Sequence, residues 1–300
     1  MHEVSNTDLR VRLLLINRRP LTERNMFANI AAIIVLTALV STSKGDDVWN
    51  GMIGKWSQNA SDGFYTIPQT MTTASCQGWT RIVGVDLPLG EIGMGYHGDP
   101  RVVIFYRIST GRVIGFQVGV PLKELDRQHM PINYRKHGEI RVKIMNGVRY
   151  YTVTAYFRQS ECGNSRSIWL KKRDGTLTKI PTNTKLLVEQ TTYERKECIP
   201  WMGLHYYKIN SETKCDDIPA VFLLANKMDI IGVGVQMIGT ASSGPKRTWF
   251  ETIPLQTEAA TIPDAPKCIA EYIKKYGLIS FHFWFISDPL SLQCDTTHQD

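Results

Sequence analysis

The stretch Pro100–Val120, PRVVIFYRISTGRVIGFQVGV, decides the fold. Two runs rich in β-branched and aromatic residues flank Ser109-Thr110-Gly111, and neither carries a helical period, so the segment reads as a β-hairpin. Outward from it the same grammar recurs. Tyr150–Phe157 (YYTVTAYF) is a strand entered through the Asn146-Gly147 turn, and Ser167–Pro181 (SIWLKKRDGTLTKIP) folds back at Asp174-Gly175; both dipeptides supply the positive φ angles that tight hairpin turns need. Pro219–Ile238 (PAVFLLANKMDIIGVGVQMI) is a further hairpin. Ile279–Ile286 (ISFHFWFI) is apolar at odd and even positions alike and predicts a strand buried on both faces. Helical signal is confined to Pro266–Gly277, where a proline start, Ile269, Tyr272, Ile273 and Tyr276 at helical spacing, and a closing glycine predict one short helix near 266–276. The class is mainly β.

These landmarks repeat in order. Met94-Gly95-Tyr96-His97 precedes Pro100, the strand with VIGFQVGV, Lys136–Gly138, YYTVTAYF and Cys162. Met202-Gly203-Leu204-His205 precedes Pro219, the strand with IIGVGVQM, Lys275–Gly277, ISFHFWFI and Cys294. The order predicts two disulfide-stapled β-sandwich-like domains, residues 46–190 and 191–300, related by an internal duplication. The alternative is that any two β-domains share glycine-bounded apolar strands.

All six cysteines, Cys76, Cys162, Cys198, Cys215, Cys268 and Cys294, lie beyond residue 45, and none forms a C-x-x-C. That pattern argues for disulfides in an oxidising compartment over a zinc or redox motif. Keeping bridges within each copy suggests Cys76–Cys162, Cys198–Cys215 and Cys268–Cys294, although spacing alone does not fix connectivity. The apolar run Phe27–Val40, followed by Ser41 and Ser43, is too short for an ordinary membrane span and fits a signal peptide over residues 1–45, with Met26 as the working start. Asn59 in Asn-Ala-Ser is a candidate glycosylation site of the same compartment. Retention of the N-terminal segment would instead give a membrane-anchored ectodomain.

The formal charge of +7 includes six basic residues (Arg10, Arg12, Arg18, Arg19, Arg24, Lys44) against three acidic ones (Glu3, Asp8, Glu23) in that segment. The remaining excess is too small to imply a nucleic-acid partner. The densest basic cluster, Lys171, Lys172 and Arg173, sits on the Asp174-Gly175 hairpin and could meet a sulfated glycan; its other reading is protection of an exposed sheet edge. Trp49, Trp56 and Trp79 are candidates for a sugar-stacking platform.

Met94 with His97 and Met202 with His205, joined by His137, form a candidate copper set, because imidazole suits copper and thioether favours Cu(I). Residues i and i+3 of a straight strand face opposite ways, so such a site needs Gly95 or Gly203 to bend the chain. No P-loop, G-x-S-x-G or H-E-x-x-H is present. The expectation is a secreted binding protein without catalysis or cofactor, its partner an extracellular protein or glycan; the alternative is a copper-dependent extracellular oxidoreductase.

Overall fold

The computed structural model describes residues 49–57, 63–159 and 166–294. The N-terminal segment, Asn59 and Cys162 lie outside them. The chain is mainly β, with two antiparallel sheets and two disulfides. Strands β1 (Ile53–Gly54) and β2 (Tyr65–Thr66) belong to a sheet that the C-terminal half completes. The intervening strands are β3 (Trp79–Arg81), β4 (Glu91–Tyr96), β5 (Val102–Arg107), β6 (Val113–Pro121), β7 (Arg141–Met145), β8 (Val148–Gln159), β9 (Arg166–Lys171) and β10 (Leu177–Ile180). They form the first sheet, in the order β10-β9-β8-β6-β5-β4-β3 with β7 also on β8. The C-terminal strands are β11 (Glu194–Ile199), β12 (Gly203–Tyr207), β13 (Val221–Asn226), β14 (Asp229–Ile238), β15 (Glu251–Thr252) and β16 (Leu278–Trp284). They make the second sheet, ordered β11-β12-β13-β14-β16-β1-β2 with β15 also on β16.

The predicted hairpins form where turn chemistry requires them. Asn146 and Gly147 both take positive φ, 47° and 79°, in the β7–β8 turn. At the β9–β10 turn Asp174 Oδ1 accepts from Thr176 N at 2.9 Å and Thr176 Oγ1 at 2.7 Å, an arrangement that leaves positive φ to Gly175.

The alternation of β16 explains its apolar sequence. Phe281 and Phe283 face the first sheet, where Phe116 meets them at 6.3 and 4.4 Å between ring centroids. Beyond the strand's end, Phe285 meets Phe157 at 5.0 Å. Ser280, His282 and Trp284 point the other way and are buried as well. Side chains of both sheets thus share one buried core, and Asp47–Asp300 form one compact unit. The boundary expected at 190/191 falls between the sheets, in the connection from β10 to β11.

Register relates the two sheets more closely than composition does. The antiparallel order β4-β5-β6-β8 is matched by β12-β13-β14-β16. The irregularity between Phe105 and Tyr106, opposite Gly115 and Val113, has a counterpart between Leu224 and Ala225, opposite Gly232 and Ile230. The Met-Gly-x-His strings do not follow this register. Phe105 pairs with Gly93, whereas Leu224 pairs with His205, so His205 corresponds to Gly93, and His97 lies just past the end of β4.

Among the described residues, four α-helices join the predicted one, α5 (Lys267–Tyr276): α1 (Met71–Cys76), α2 (Leu122–Asp126), α3 (Thr184–Gln190) and α4 (Leu255–Thr261). All four are too short to print a helical period in the sequence. Among the described residues no helix is long and apolar enough to cross a membrane.

The bridges correct two of the expected pairs, Cys198–Cys215 and Cys268–Cys294, whereas Cys76–Cys162 involves a residue outside the described ones. Cys198 joins Cys294 and Cys215 joins Cys268, with Cα atoms 5.6 and 6.1 Å apart, and Cys76, exposed at the end of α1, has no disulfide partner among the described residues. The reason is tertiary: the backbone bond from Trp201 N to Leu292 O, 3.1 Å, sets the C-terminal segment beside β11.

Candidate functional site

On the outer face of the first sheet, strand alternation sends Ala155, Phe157, Ile168 and Leu170 into the core and leaves Tyr156, Arg158, Trp169 and Lys171 facing out. Tyr156 and Trp169 are direct cross-strand partners, half-buried and side by side. They line a groove of about 460 Å³ with Glu91, Arg107, Arg158, Lys171 and Leu177. Arg107 and Arg158 are exposed and form no ion pair among the described residues. Burial pushes the Glu91 carboxyl up, opposed by Arg107 and Lys171, and its Oε2 has no hydrogen-bond partner.

Asp86 organises the rim. Lys143 Nζ lies 2.9 Å, Arg141 Nη1 3.0 Å and Lys171 Nζ 3.5 Å from its Oδ2. The Lys143 hydrogen bond, opposed by partial burial and aided by Lys171 and Arg141, holds this carboxyl down to about 2. Of the basic hairpin only Lys171 enters the groove. Arg173 Nη1 instead donates to Arg135 O at 3.1 Å, and Lys172 is an exposed turn residue.

The tryptophans expected to form a platform are core residues. Trp56 is 7% and Trp79 1% exposed. Trp79 packs with Tyr96 and Trp249 around the Arg247 guanidinium, which lies 3.7 Å from the Tyr96 centroid and 5.2 Å from that of Trp249. The half-buried pair Trp169 and Tyr156 was missed. Its signal was Trp169 between inward Ile168 and Leu170, which places it on the charged face.

The copper set is dispersed. Met94 is buried in β4, and exposed His97 packs edge-on to Tyr96 at 4.5 Å with a φ of +49°. The His137 Nε2 lies 2.8 Å from Ile218 O. Among the described residues, no three His, Cys, Asp or Glu side chains form a metal cluster.

Met202 and His205 line one cavity. Trp201 and Gly203 take φ of +67° and +96°, bending the chain as a shared site requires. Both residues line a buried cavity of about 20 Å³ between the second sheet and α4, together with His282, Ser280 and Glu258. His205 is 1% exposed, and burial, reinforced by neighbouring His282, pushes its imidazole down to about 3. The two imidazoles stand edge-to-face with centroids 6.1 Å apart. His282 Nδ1 lies 3.3 Å from Glu251 Oε1, and the other carboxylate oxygen accepts from Ser280 Oγ at 2.7 Å. Among the described residues, His205 Nδ1, His282 Nε2 and Glu258 Oε1 have no hydrogen-bond partner.

Compared with known protein families, curated proteins and solved structures, the chain matches none.

Proposed function

We propose that this is an extracellular binding protein without catalytic activity, and that it holds an acidic carbohydrate in the groove on the first sheet. The observation that carries the reading is the paired Trp169 and Tyr156 flanked by Arg107, Arg158 and Lys171. Neighbouring aromatic faces suit the C–H faces of sugar rings, and guanidinium groups suit sulfate or carboxylate through paired hydrogen bonds. Among the described residues Glu91 is the one carboxylate lining the groove, so the two-acid arrangement of glycoside hydrolysis has no second member among them. The two disulfides are compatible with an oxidising compartment. Secretion through a signal peptide ending near residue 45, and a glycan on Asn59, belong to this reading.

The test is titration with a sulfated hexasaccharide and its desulfated form. Binding is expected to favour the sulfated sugar, to weaken with salt, and to drop at least about tenfold in Trp169→Ala and in Arg107→Ala/Arg158→Ala, a loss of roughly 1.4 kcal/mol. Equal binding of both sugars, or variants that bind like the parent, would reject the groove.

We further infer a single β-sandwich whose two sheets descend from one duplicated unit. The common strand order and the matching irregularities at Gly115 and Gly232 support it. An experimental structure in which β4-β5-β6-β8 cannot be superposed on β12-β13-β14-β16 with these glycines aligned would refute the common origin.

A further inference from the structure

The second sheet carries a different chemistry from the groove. We propose that Met202, His205 and His282 form a buried binding site for one copper(I) ion.

Three features point to it. First, the three side chains line the same small cavity, which has the size of a single ion or water and no room for an organic ligand. Second, the unpaired atoms are ligand atoms. His205 Nδ1 and His282 Nε2 are buried and lack any hydrogen-bond partner among the described residues, a costly state for a polar group with nothing to serve. Third, His282 is prepared as a metal-binding histidine is. The carboxylate of Glu251 accepts at Nδ1, so the ring proton stays there and Nε2 presents its lone pair. Ser280 holds the other oxygen of that carboxylate, which fixes the ring's orientation.

The geometry agrees. Two imidazoles sharing an ion through bonds of about 2 Å have ring centroids roughly 5 to 6.3 Å apart, and the observed separation is 6.1 Å. The set of two imidazoles and a thioether selects a soft ion, whereas Zn²⁺ normally takes four ligands rich in nitrogen, thiolate or carboxylate. The Glu258 carboxyl lines the same cavity from α4. The bend at Trp201–Gly203 is what lets Met202 and His205 face one ion.

The test uses the whole chain with its disulfides intact and its free thiols alkylated, so that Cys76 does not compete. Cu(I) is delivered anaerobically against a chromophoric chelator. One equivalent is expected per chain, with X-ray absorption showing nitrogen and one sulfur scatterer and a raised Tm. Met202→Leu conserves volume and is expected to keep the apo-protein Tm within a few degrees while losing the sulfur scatterer and about tenfold in affinity. His282→Phe is expected to abolish uptake. No stoichiometric uptake by the parent protein, unchanged affinity in Met202→Leu, or Zn²⁺ bound as tightly as Cu(I) would each overturn the site.

Discussion

Phe116 of the first sheet lies flat against Phe283 of the second, with ring centroids 4.4 Å apart and planes 9° from parallel. Both rings are fully buried, and the contact sits where the two sheets meet. Phe283→Ala removes it and opens a cavity that neither sheet can close alone. The expected cost is about 3 to 5 kcal/mol. Urea unfolding followed by near-ultraviolet dichroism and by hydrogen exchange in the first sheet should shift together, because Asp47–Asp300 form one unit. A shift confined to the second sheet would contradict that unity.

Gly234 has a second strict requirement. A Cβ there would lie 1.9 Å from the Phe222 ring, which packs against His205 and His282. Gly234→Ala should therefore cost about 1 to 3 kcal/mol or more through overpacking. Gly111, with open space around its Cβ position and a φ of +66°, makes the comparison. Gly111→Ala should cost about 1 kcal/mol, the backbone penalty alone. Thermal unfolding of both variants separates the two effects, and equal losses would remove the steric argument.

Asp86 predicts an acid-side effect. Its folded pKa lies below its usual value, so the folded state binds fewer protons than the unfolded chain as pH falls. The stabilisation is complete above about pH 4 and is lost as pH drops toward 2, and solvent screening limits it to about 1 kcal/mol or less. Asp86→Asn should flatten that part of the stability curve. It should also release Lys171 toward the groove and strengthen binding of the sulfated sugar, measured by calorimetry at neutral pH.

Peptide mapping without reduction should recover Cys198 linked to Cys294 and Cys215 linked to Cys268, with Cys76 alkylated in the native protein. Replacing Cys198 and Cys294 together by alanine should cost about 2 to 5 kcal/mol in chemical denaturation. A map linking Cys198 to Cys215 would contradict the placement of the C-terminal segment beside β11.

What could be read from the sequence was what neighbouring residues decide. The turns at Ser109–Gly111, Asn146-Gly147 and Asp174-Gly175 are local chemistry, and the helix Lys267–Tyr276 is long enough to print its period. The sharing of one core by both sheets was not legible, because alternation in β16 says both faces are buried without saying by what. The same limit divided the sites. Met202 and His205 lie within one turn of chain and could be paired by eye, but His282 reaches the cavity only through the β14–β16 ladder. Trp56 and Trp79 were misplaced because indole content says nothing about which face a strand presents. Trp169 carried that information in its neighbours.

The place of β1 has a consequence for biosynthesis. Ile53 and Gly54 pair with Trp284 and Phe283, and Trp49 donates its indole hydrogen to Ile230 O at 2.9 Å. On a ribosome the earliest strand therefore emerges long before its partner exists. The strands from Trp79 to Ile180 can zip as they leave the tunnel, while Trp49, Ile53 and Trp56 wait, greasy and unaccompanied, for nearly the whole of translation. Their shelter arrives only once Leu278–Trp284 are made, so a message truncated shortly before Leu278 would release a chain with a finished first sheet and a sticky leading end, a natural client for a chaperone.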